Sequence, residues 1–354
     1  MAITEILLFA LGLILLLKGS DFFVKAATSI AKRLGVSEFV IGLTLVAVGT
    51  SIPEFAASIA ASVKHESGLI MGNIVGSNIA NIGLILGLVA SFSVLKVRKK
   101  MLDRDGYIML FAALLFFFFI INKNISRIEA IIFLLFYLAY VFFLFGIKAK
   151  GRGKYHFREF INYFLKLEYL AKIRDEMASG LKNAKKISFR ERKKLMELFK
   201  AALVKDFLVL VISLAAIIIG AKYLVEEAIF FADLLSISST FIGISLIAVG
   251  TSLPELSVSM AAAKKGYGNI AVGNIVGSNI ANIFLIIGVS GLISPLSVAK
   301  LTISYTAPFM VFISILLLVL MQHNWKLSRV EGIALLALYT LFTASLFFLN
   351  FALE

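Results

Sequence analysis

The sequence predicts an all-α polytopic membrane protein with ten transmembrane helices, arranged as two inverted five-helix repeats with broken core helices. Three observations lead to this prediction. Of the 354 residues, 60% are hydrophobic and the mean hydropathy is +0.97, which is typical of polytopic membrane proteins. Residues 72–82 recur unchanged at 273–283. Basic residues cluster in alternate loops between the apolar segments, as the positive-inside rule requires.

Apolar stretches long enough to cross about 30 Å of hydrocarbon recur along the whole chain. The first has no basic residues ahead of it and no small-residue cleavage site after it, so we expect a retained helix and not a cleaved signal peptide. The ten predicted spans lie near residues 3–31, 38–63, 69–95, 107–121, 128–147, 207–232, 239–263, 270–293, 302–321 and 331–350.

The copied stretch belongs to a longer repeat with a constant offset of 201 residues, because GTSIPE at 49–54 matches GTSLPE at 250–255. Five spans per half is an odd number, so the second half is expected to lie inverted in the membrane. We predict repeats over residues 1–147 and 207–354, joined by a central loop at 148–206. Inverted repeats are characteristic of secondary transporters, whose ion sites lie near the bilayer midplane.

The net charge of +14 is carried mostly by one set of alternate loops. By the positive-inside rule these loops are cytosolic in the cell membrane, which places both termini outside. The charge lies where topology requires it, so nucleic acid is not expected as a partner. The basic loops include residues 32–33, 96–104, 148–205, 264–265 and 326–329.

The central loop, residues 148–206, combines many Lys and Arg residues with aromatic and aliphatic residues spaced three and four apart. This pattern predicts amphipathic helices that lie along the anionic inner leaflet. An ion-sensing role is the alternative, but the loop has no acidic cluster of the kind that a calcium site needs.

A proline interrupts each of the second and seventh spans, with a glycine before it and a glutamate after it: Gly49, Pro53 and Glu54, then Gly250, Pro254 and Glu255. Proline removes a backbone donor, and irregular backbone is tolerated at membrane depth only where it lines a cavity or is buried in protein. A carboxylate at the bilayer centre costs about 2.5 kcal/mol or more. We therefore predict that the two glutamates meet in one functional site built from both halves.

The other polar groups expected near these carboxylates are all hard oxygen donors. They are the hydroxyls, carboxamides and carbonyls of Thr50, Ser51, Thr251, Ser252, Ser77, Ser278, Asn81, Asn282, Ala47 and Ala248. Such a set suits Ca²⁺ or Na⁺ and suits soft transition metals poorly. Two carboxylates neutralise one Ca²⁺ or serve two Na⁺, so the ions would compete, as antiport requires. No cofactor is expected, and the chain has no cysteine for thiol chemistry.

Two further pairs of opposite charge are predicted inside spans one and six. Asp21 and Lys25 are the repeat mates of Lys222 and Glu226, with the signs reversed. Each pair has i, i+4 spacing, so we expect two structural ion pairs near the span ends. A role in gating or access is the alternative. For the glycines of the copied stretch we expect helix packing.

The motifs G-T-S-x-P-E and G-N-x-x-G-S-N-x-x-N, in two inverted copies, resemble the alpha repeats of the Na⁺/Ca²⁺ exchangers of the cation/Ca²⁺ exchanger superfamily. The resemblance covers all ten spans and implies a core of spans two, three, seven and eight, past which spans one and six slide. It also implies Ca²⁺ bound by Glu54 and Glu255 with the carbonyls of Thr50 and Thr251. Sodium sites would involve Ala47, Ser51, Ser77, Ala248, Ser252 and Ser278.

One position departs from many relatives, which have Asp where this chain has Asn282. The asparagine resembles the potassium-independent exchangers, so K⁺-independent Na⁺/Ca²⁺ antiport is the favoured function. An H⁺-coupled antiporter of Ca²⁺ or another divalent cation is the alternative within the same fold. A cation channel would more naturally show identical segments in a symmetric oligomer. An enzyme is not expected, since no histidine or cysteine is predicted at membrane depth and no phosphate-binding loop is present.

Overall fold

The computed structural model describes residues 2–33, 47–149, 157–165, 189–322 and 325–350. Helices α4, α5, α9, α11 and α12 each contain a π-helical stretch. The helices are α1 (Ala2–Arg33), α2 (Ala47–Thr50), α3 (Ile52–Val63), α4 (Ser67–Phe92), α5 (99–120), α6 (Arg127–Ala149), α7 (Phe157–Leu165), α8 (Phe189–Leu235), α9 (Ser239–Thr251), α10 (Leu253–Lys264), α11 (Gly268–Ile293), α12 (Thr302–Gln322) and α13 (Arg329–Asn350). The strands are β1 (Leu95–Lys96), β2 (Asn124–Ile125), β3 (Leu296–Ser297) and β4 (Lys326–Leu327).

Seven of the described helices are long and apolar enough to cross a membrane, and the bent pair α9 and α10 makes an eighth candidate. The two remaining predicted spans are represented by shorter helices. Helix α3 has 12 residues and the apolar part of α5, Tyr107–Ile120, has 14. Part of the predicted second span, residues 38–46, lies outside the described residues. The prediction of a mostly helical, multi-pass membrane protein is confirmed.

The two halves repeat each other in structure as well as in sequence. The bounds of α10, α11 and β3 are those of α3, α4 and β1 displaced by 201 residues. The strands of each half pair with those of the other half: β1 pairs antiparallel with β4, and β2 pairs antiparallel with β3. Both pairings join loops that the predicted topology places on the same side of the membrane.

Helices α6 and α13, which close the two halves, begin with the same local motif. The backbone N–H and hydroxyl of Ser126 donate to the carboxylate of Glu129, and the Glu129 N–H donates back to the Ser126 hydroxyl. Ser328 and Glu331 form the same reciprocal bonds. These capping boxes satisfy helix N–H groups that would otherwise lack partners, and so fix where each helix starts.

Helix α4 lies at the centre of the fold and is buried on all sides along its first two-thirds. It packs closely against α9 through Gly72 and Gly76. A Cβ on Gly72 would lie 2.3 Å from the Thr240 carbonyl oxygen, so only glycine allows this approach. The packing prediction is confirmed for these two glycines. The counterparts of the α9 contacts in the first half fall among residues 39–46, outside the described residues.

Helices α1 and α8 pack against each other along much of their length. Their backbones meet at two small residues, since a Cβ on Gly220 would lie 2.7 Å from the Gly12 carbonyl oxygen. Both helices also expose many large apolar side chains, among them Leu7, Phe22 and Ile212. The wide apolar outer faces of both helices suit contact with lipid.

Helix α7 corrects part of the prediction for the central loop. Its apolar face packs on α6 and α5, where Phe160 is fully buried and Phe164 stacks on Phe136 with ring centroids 4.0 Å apart. Three aromatic rings on spacings of three and four find a better-packed surface on the neighbouring helices than at a lipid interface. Residues 150–156 and 166–188 of the loop lie outside the described residues.

Candidate functional site

Two helix breaks define the centre of the molecule. Between α2 and α3 the chain leaves helical geometry at Ser51 (φ −89°, ψ 9°), and between α9 and α10 it does so at Ser252 (φ −82°, ψ 6°). The second break bends the helix axis by 43°. Pro53 and Pro254 lie in the first turn after each break, where the missing N–H costs no helical hydrogen bond. The prediction of broken helices at these prolines is therefore confirmed.

The first turn after each break carries a glutamate, and the two halves hold each other's carboxylate. The Ser252 hydroxyl donates to Glu54 Oε1 at 3.1 Å, and the Ser51 hydroxyl donates to Glu255 Oε1 at 3.3 Å. Both glutamates are fully buried. Because each bond crosses from one half to the other, the structure brings the two carboxylates into one junction, as the repeat predicts.

Several buried oxygens of the two carboxylates and of the copied stretch have no hydrogen-bond partner. Within the described residues they include Glu54 Oε2, Glu255 Oε2, Ser77 Oγ, Asn81 Oδ1 and Asn282 Oδ1. An unpaired buried polar atom costs about 1–3 kcal/mol, and native folds rarely keep several together. All five are oxygens of the kind that coordinates hard cations.

A network of asparagines fixes which atom of each carboxamide faces the junction. Asn81 Nδ2 donates to Asn279 Oδ1 at 2.9 Å, and Asn282 Nδ2 donates to Asn78 Oδ1 at 3.0 Å. With each NH₂ group used across the two halves, the amide oxygens of Asn81 and Asn282 are left as acceptors. Both residues begin a π-helical turn, a local widening that is common at functional sites.

A second layer of asparagines holds the threonines and the glutamate backbone. Thr251 Oγ1 donates to Asn73 Oδ1 at 3.3 Å, and Asn73 Nδ2 donates to the Glu54 carbonyl at 3.2 Å. Thr50 and Asn274 repeat this arrangement in the other half. Sequence reasoning did not single out Asn73, Asn78, Asn274 and Asn279 as site residues. Their signal was present, since each carboxamide recurs within the copied stretch at membrane depth.

The remaining predicted ligands lie close by but are not all free to bind. The Ser278 hydroxyl donates to Glu255 Oε1 at 3.3 Å, whereas its mate Ser77 has no partner. The Ala248 carbonyl already accepts bonds from the Ser252 N–H and the Thr251 hydroxyl. Ala47 begins α2, and its side chain is not among those described.

Glycines beside the breaks let α1 approach the core. A Cβ on Gly49 would lie 2.6 Å from a methyl group of Val24, and a Cβ on Gly250 would lie 3.3 Å from Leu13. Both neighbours belong to α1. Gly49 and Gly250 therefore lie where α1 contacts the core. In the first half, α1 is the helix that the family resemblance expects to slide.

The two predicted ion pairs have different outcomes. Lys25 Nζ lies 2.7 Å from Asp21 Oδ2, which confirms the first pair. The second prediction is wrong, because Glu226 binds Lys64 at 2.9 Å instead of Lys222. Glu226 is on the face of α8 that packs on α3, whose last turn is followed by Lys64. Lys222 is exposed.

A cavity of about 380 Å³ reaches the junction from one side. It lies between α1 and α10 and ends at Thr50. Polar residues from both helices line it, including Ser20, Asp21 and Ser257. The cavity therefore approaches the site past α1 as far as Thr50, and neither glutamate lines it.

The chemistry of the junction is that of a hard-cation site. Within the described ranges no group of three or more His, Cys, Asp or Glu residues could hold a metal ion, so charge at this site comes from two carboxylates alone. The other groups are hydroxyl and amide oxygens. Six to eight such oxygens suit Ca²⁺, and a softer metal would prefer sulfur or nitrogen.

Comparison with known proteins agrees with this chemistry. The family model described as "Sodium/calcium exchanger protein" matches residues 4–146 and 205–348, which cover both halves. The chain is 53% identical over 350 residues to "Sodium/calcium exchanger MaX1" of Methanosarcina acetivorans, covering 99% of this chain and all of that one. It is 34% identical over 126 residues to "Sodium/potassium/calcium exchanger 2" of Mus musculus, covering 35% of this chain and 19% of that one.

Solved structures of the sodium-calcium exchanger NCX_Mj share the fold. One of them, from crystals soaked with 2.5 mM Na⁺ and 10 mM Sr²⁺, superposes with a TM-score of 0.60 at 33% identity and covers 98% of this chain and 99% of that one. The relatives are exchangers and not enzymes, and the prediction of a transporter is confirmed. Matches of this length and identity across both halves show that the chain belongs to the sodium/calcium exchanger family.

Proposed function

We propose that the protein is a secondary active antiporter that exchanges Na⁺ for Ca²⁺ across the cell membrane by alternating access. The observation that carries the proposal is the junction itself: two fully buried carboxylates held across the halves, with unpaired oxygens around them. The name of the MaX1 relative, and the Na⁺, Ca²⁺ and Sr²⁺ soaks of NCX_Mj, concern those proteins. They support the choice of ions here.

Competition between the ions follows from charge. Glu54 and Glu255 together carry two negative charges when ionised, which one Ca²⁺ neutralises. Sodium ions would use the same carboxylates together with neighbouring hydroxyls such as those of Ser77 and Ser278. A buried site cannot hold both sets without a large excess of positive charge in a medium of low dielectric. Occupancy by one ion therefore excludes the other, which couples the two fluxes.

The topology proposed for this cycle has ten spans in two inverted repeats, residues 1–147 and 207–354. Both termini lie outside and the loop 148–206 is cytosolic, where its basic residues contact the anionic inner leaflet. The strand pairs β1 with β4 and β2 with β3 support the alternation of sides. Helices α1 and α8 would slide over a core formed by spans two, three, seven and eight, which comprise α2 to α4 and α9 to α11.

Exchange is proposed to be independent of K⁺. An Asp at position 282 would add a third carboxylate and a place for a further monovalent cation. Asn282 instead uses its NH₂ group to bond Asn78 and offers only a neutral oxygen. The mouse relative whose name includes potassium matches about a third of this chain, so its name carries little weight for this site.

The alternative is an H⁺-coupled antiporter of Ca²⁺ or another divalent cation. It uses the same two glutamates, because a buried carboxylate flanked by another is able to carry a proton in place of a metal ion. The two functions differ in which gradient drives uptake.

The test uses purified protein in vesicles loaded with Na⁺ and diluted into Na⁺-free buffer containing ⁴⁵Ca²⁺. Uptake is expected to require the outward Na⁺ gradient, to saturate and to be unaffected by K⁺. Uptake that follows only a pH gradient would support the alternative, and K⁺-dependent uptake would contradict the proposed K⁺ independence.

Two variants test the shared site. Glu54→Gln and Glu255→Gln should each abolish exchange while keeping the fold, since the glutamine oxygen still accepts the serine bond. Glu66→Gln is the matched control, because Glu66 lies in the turn before α4 and caps it without a side-chain bond. Exchange retained in either site variant would refute a site that needs both carboxylates.

A further inference from the structure

The two faces of the molecule differ even though the halves repeat. Helices α3 and α10 are repeat mates, yet α10 is the more open of the two. Ala57 is 2% exposed, whereas its mate Val258 is only half-buried. Likewise Ser257 is exposed and its mate Ala56 is half-buried. The surface beside Glu255 on α10 is therefore uncovered where the matching surface on α3 is covered.

The cover comes from the long helices. Helix α8 packs on α3. We call the surface of the molecule at this α3–α8 contact the closed face. By the repeat, α1 should pack on α10 in the same way. The 380 Å³ cavity instead lies between these two helices and reaches Thr50, so this is the open face. The structure holds one of two states that the internal symmetry would allow.

An ion pair bridges the closed face. Lys64, which follows the last turn of α3, lies 2.9 Å from Glu226 on α8, and both side chains are about one-third exposed. Displacing these positions by 201 residues gives Lys265 at the end of α10 and Lys25 on α1. Attraction at the closed face is thus replaced by two like charges at the open face.

The charges around these positions strengthen the difference. The facing stretches of the open face, residues 17–25 and 253–265, contain four lysines. Apart from the buried Glu255, their one carboxylate is Asp21, which is already paired with Lys25 at 2.7 Å. Closing this face in the manner of the other would bring Lys25 toward Lys265, and like charges brought together oppose the closure.

We propose that Lys64 and Glu226 form a latch that holds one face of the transporter shut and thereby favours the state in which the ion site opens through the α1–α10 cavity. The two residues position α8 and do not touch the ions. This inference rests on the proposed alternating-access function. A partly exposed pair is worth a few tenths to about 1 kcal/mol, which corresponds to a shift of about two- to five-fold in the ratio of the two states.

The chain offers a direct readout because it contains no cysteine. Ser257→Cys reports the open face and Ala56→Cys, at the mate position, reports the closed face. The rate at which each cysteine reacts with a small maleimide is measured in nanodiscs, where neither transport nor orientation matters. In the native background position 257 should react faster than position 56.

Glu226→Gln or Lys64→Met should lower the ratio of the two rates by about two- to five-fold. The double variant Lys64→Glu with Glu226→Lys should restore it, since the pair is re-formed with exchanged signs. Lys265→Glu should lower the ratio as well, because it gives Lys25 a partner at the open face. Glu66→Gln is the control and should leave the ratio unchanged.

An unchanged ratio in Glu226→Gln, Lys64→Met and Lys265→Glu would overturn the latch, and so would a failure of the charge swap to restore the native ratio. Failure of the proposed function looks different. If the Na⁺ gradient does not drive ⁴⁵Ca²⁺ uptake but the ratio shifts as described, the latch stands and the coupling ion is wrong.

Discussion

Replacing Asn282 by aspartate tests the asparagine network at the ion site. The change exchanges one NH₂ group for an oxygen of similar size. That NH₂ group donates to Asn78 Oδ1 at 3.0 Å, and the single carboxamide oxygen of Asn282 is buried without a partner. The variant therefore sets an ionised oxygen against an amide oxygen and adds a third carboxylate beside Glu54 and Glu255.

The expected loss of stability follows from the hydrogen bond that an aspartate is unable to donate. A neutral hydrogen bond contributes about 0.5–1.5 kcal/mol, and a buried acceptor without a donor costs about 1–3 kcal/mol. Asn78 Oδ1 is such an acceptor, since it lies in a residue that is 1% exposed. With no cation bound, we expect Asn282→Asp to lower the free energy of unfolding by about 2 kcal/mol or more. A monovalent cation would offset part of this loss by binding only the folded site.

The assay is thermal denaturation of the purified protein at fixed pH, first in chelator without alkali metal ions and then with added K⁺ or Na⁺. The variant should melt several degrees below the native protein, and added cation should raise its Tm more than that of the native protein. Asn81→Asp is the matched variant, because Asn81 Nδ2 donates to Asn279 Oδ1 at 2.9 Å, and it should behave alike. An aspartate variant that melts like the native protein in chelator would refute the role assigned to the network.

Three other substitutions have outcomes fixed by single contacts. Gly72→Ala should destabilise the protein by several kcal/mol, since its Cβ would lie 2.3 Å from the Thr240 carbonyl and force α4 from α9; an unaltered Tm would contradict this packing. Phe160→Ala should cost about 3–5 kcal/mol because the ring is fully buried, and denaturant unfolding that shows a loss of less than about 1 kcal/mol would mean that α7 is loosely held. Ser252→Ala removes the donor 3.1 Å from Glu54 Oε1. The variant should stay folded, and the half-saturating Ca²⁺ concentration in ⁴⁵Ca²⁺ uptake should change by about 3- to 10-fold. An unchanged concentration would show that the bond does not position the carboxylate.

Much of the site was predictable from the sequence because the repeat is nearly exact where the chemistry lies. Two glutamates after two prolines at membrane depth have few structural explanations, and the repeat predicts that they converge. What remained hidden was the direction of each carboxamide. Sequence places Asn81 and Asn282 near the site, but only the bonds to Asn279 and Asn78 show which atom is left to bind an ion.

The failures of sequence reasoning share one cause, which is that partners far apart in the chain compete with local ones. The i, i+4 spacing of Lys222 and Glu226 suggested a pair on one helix, whereas the packing of α8 on α3 supplies Lys64. The amphipathic pattern around Phe160 suggested a lipid surface, whereas α5 and α6 offer an apolar surface of their own. Spacing identifies the face of a helix but does not identify what covers it.

The two small sheets have a consequence for how the halves are held. Strand β1 of the first half pairs with β4 of the second, and β3, the mate of β1, pairs with β2, which precedes α6 as β4 precedes α13. Contact of one patch with the same patch turned over is isologous, as in a two-fold homodimer. On the proposed inverted topology, a single half that inserted in both orientations would therefore possess every strand needed to pair with a second copy of itself at both membrane surfaces.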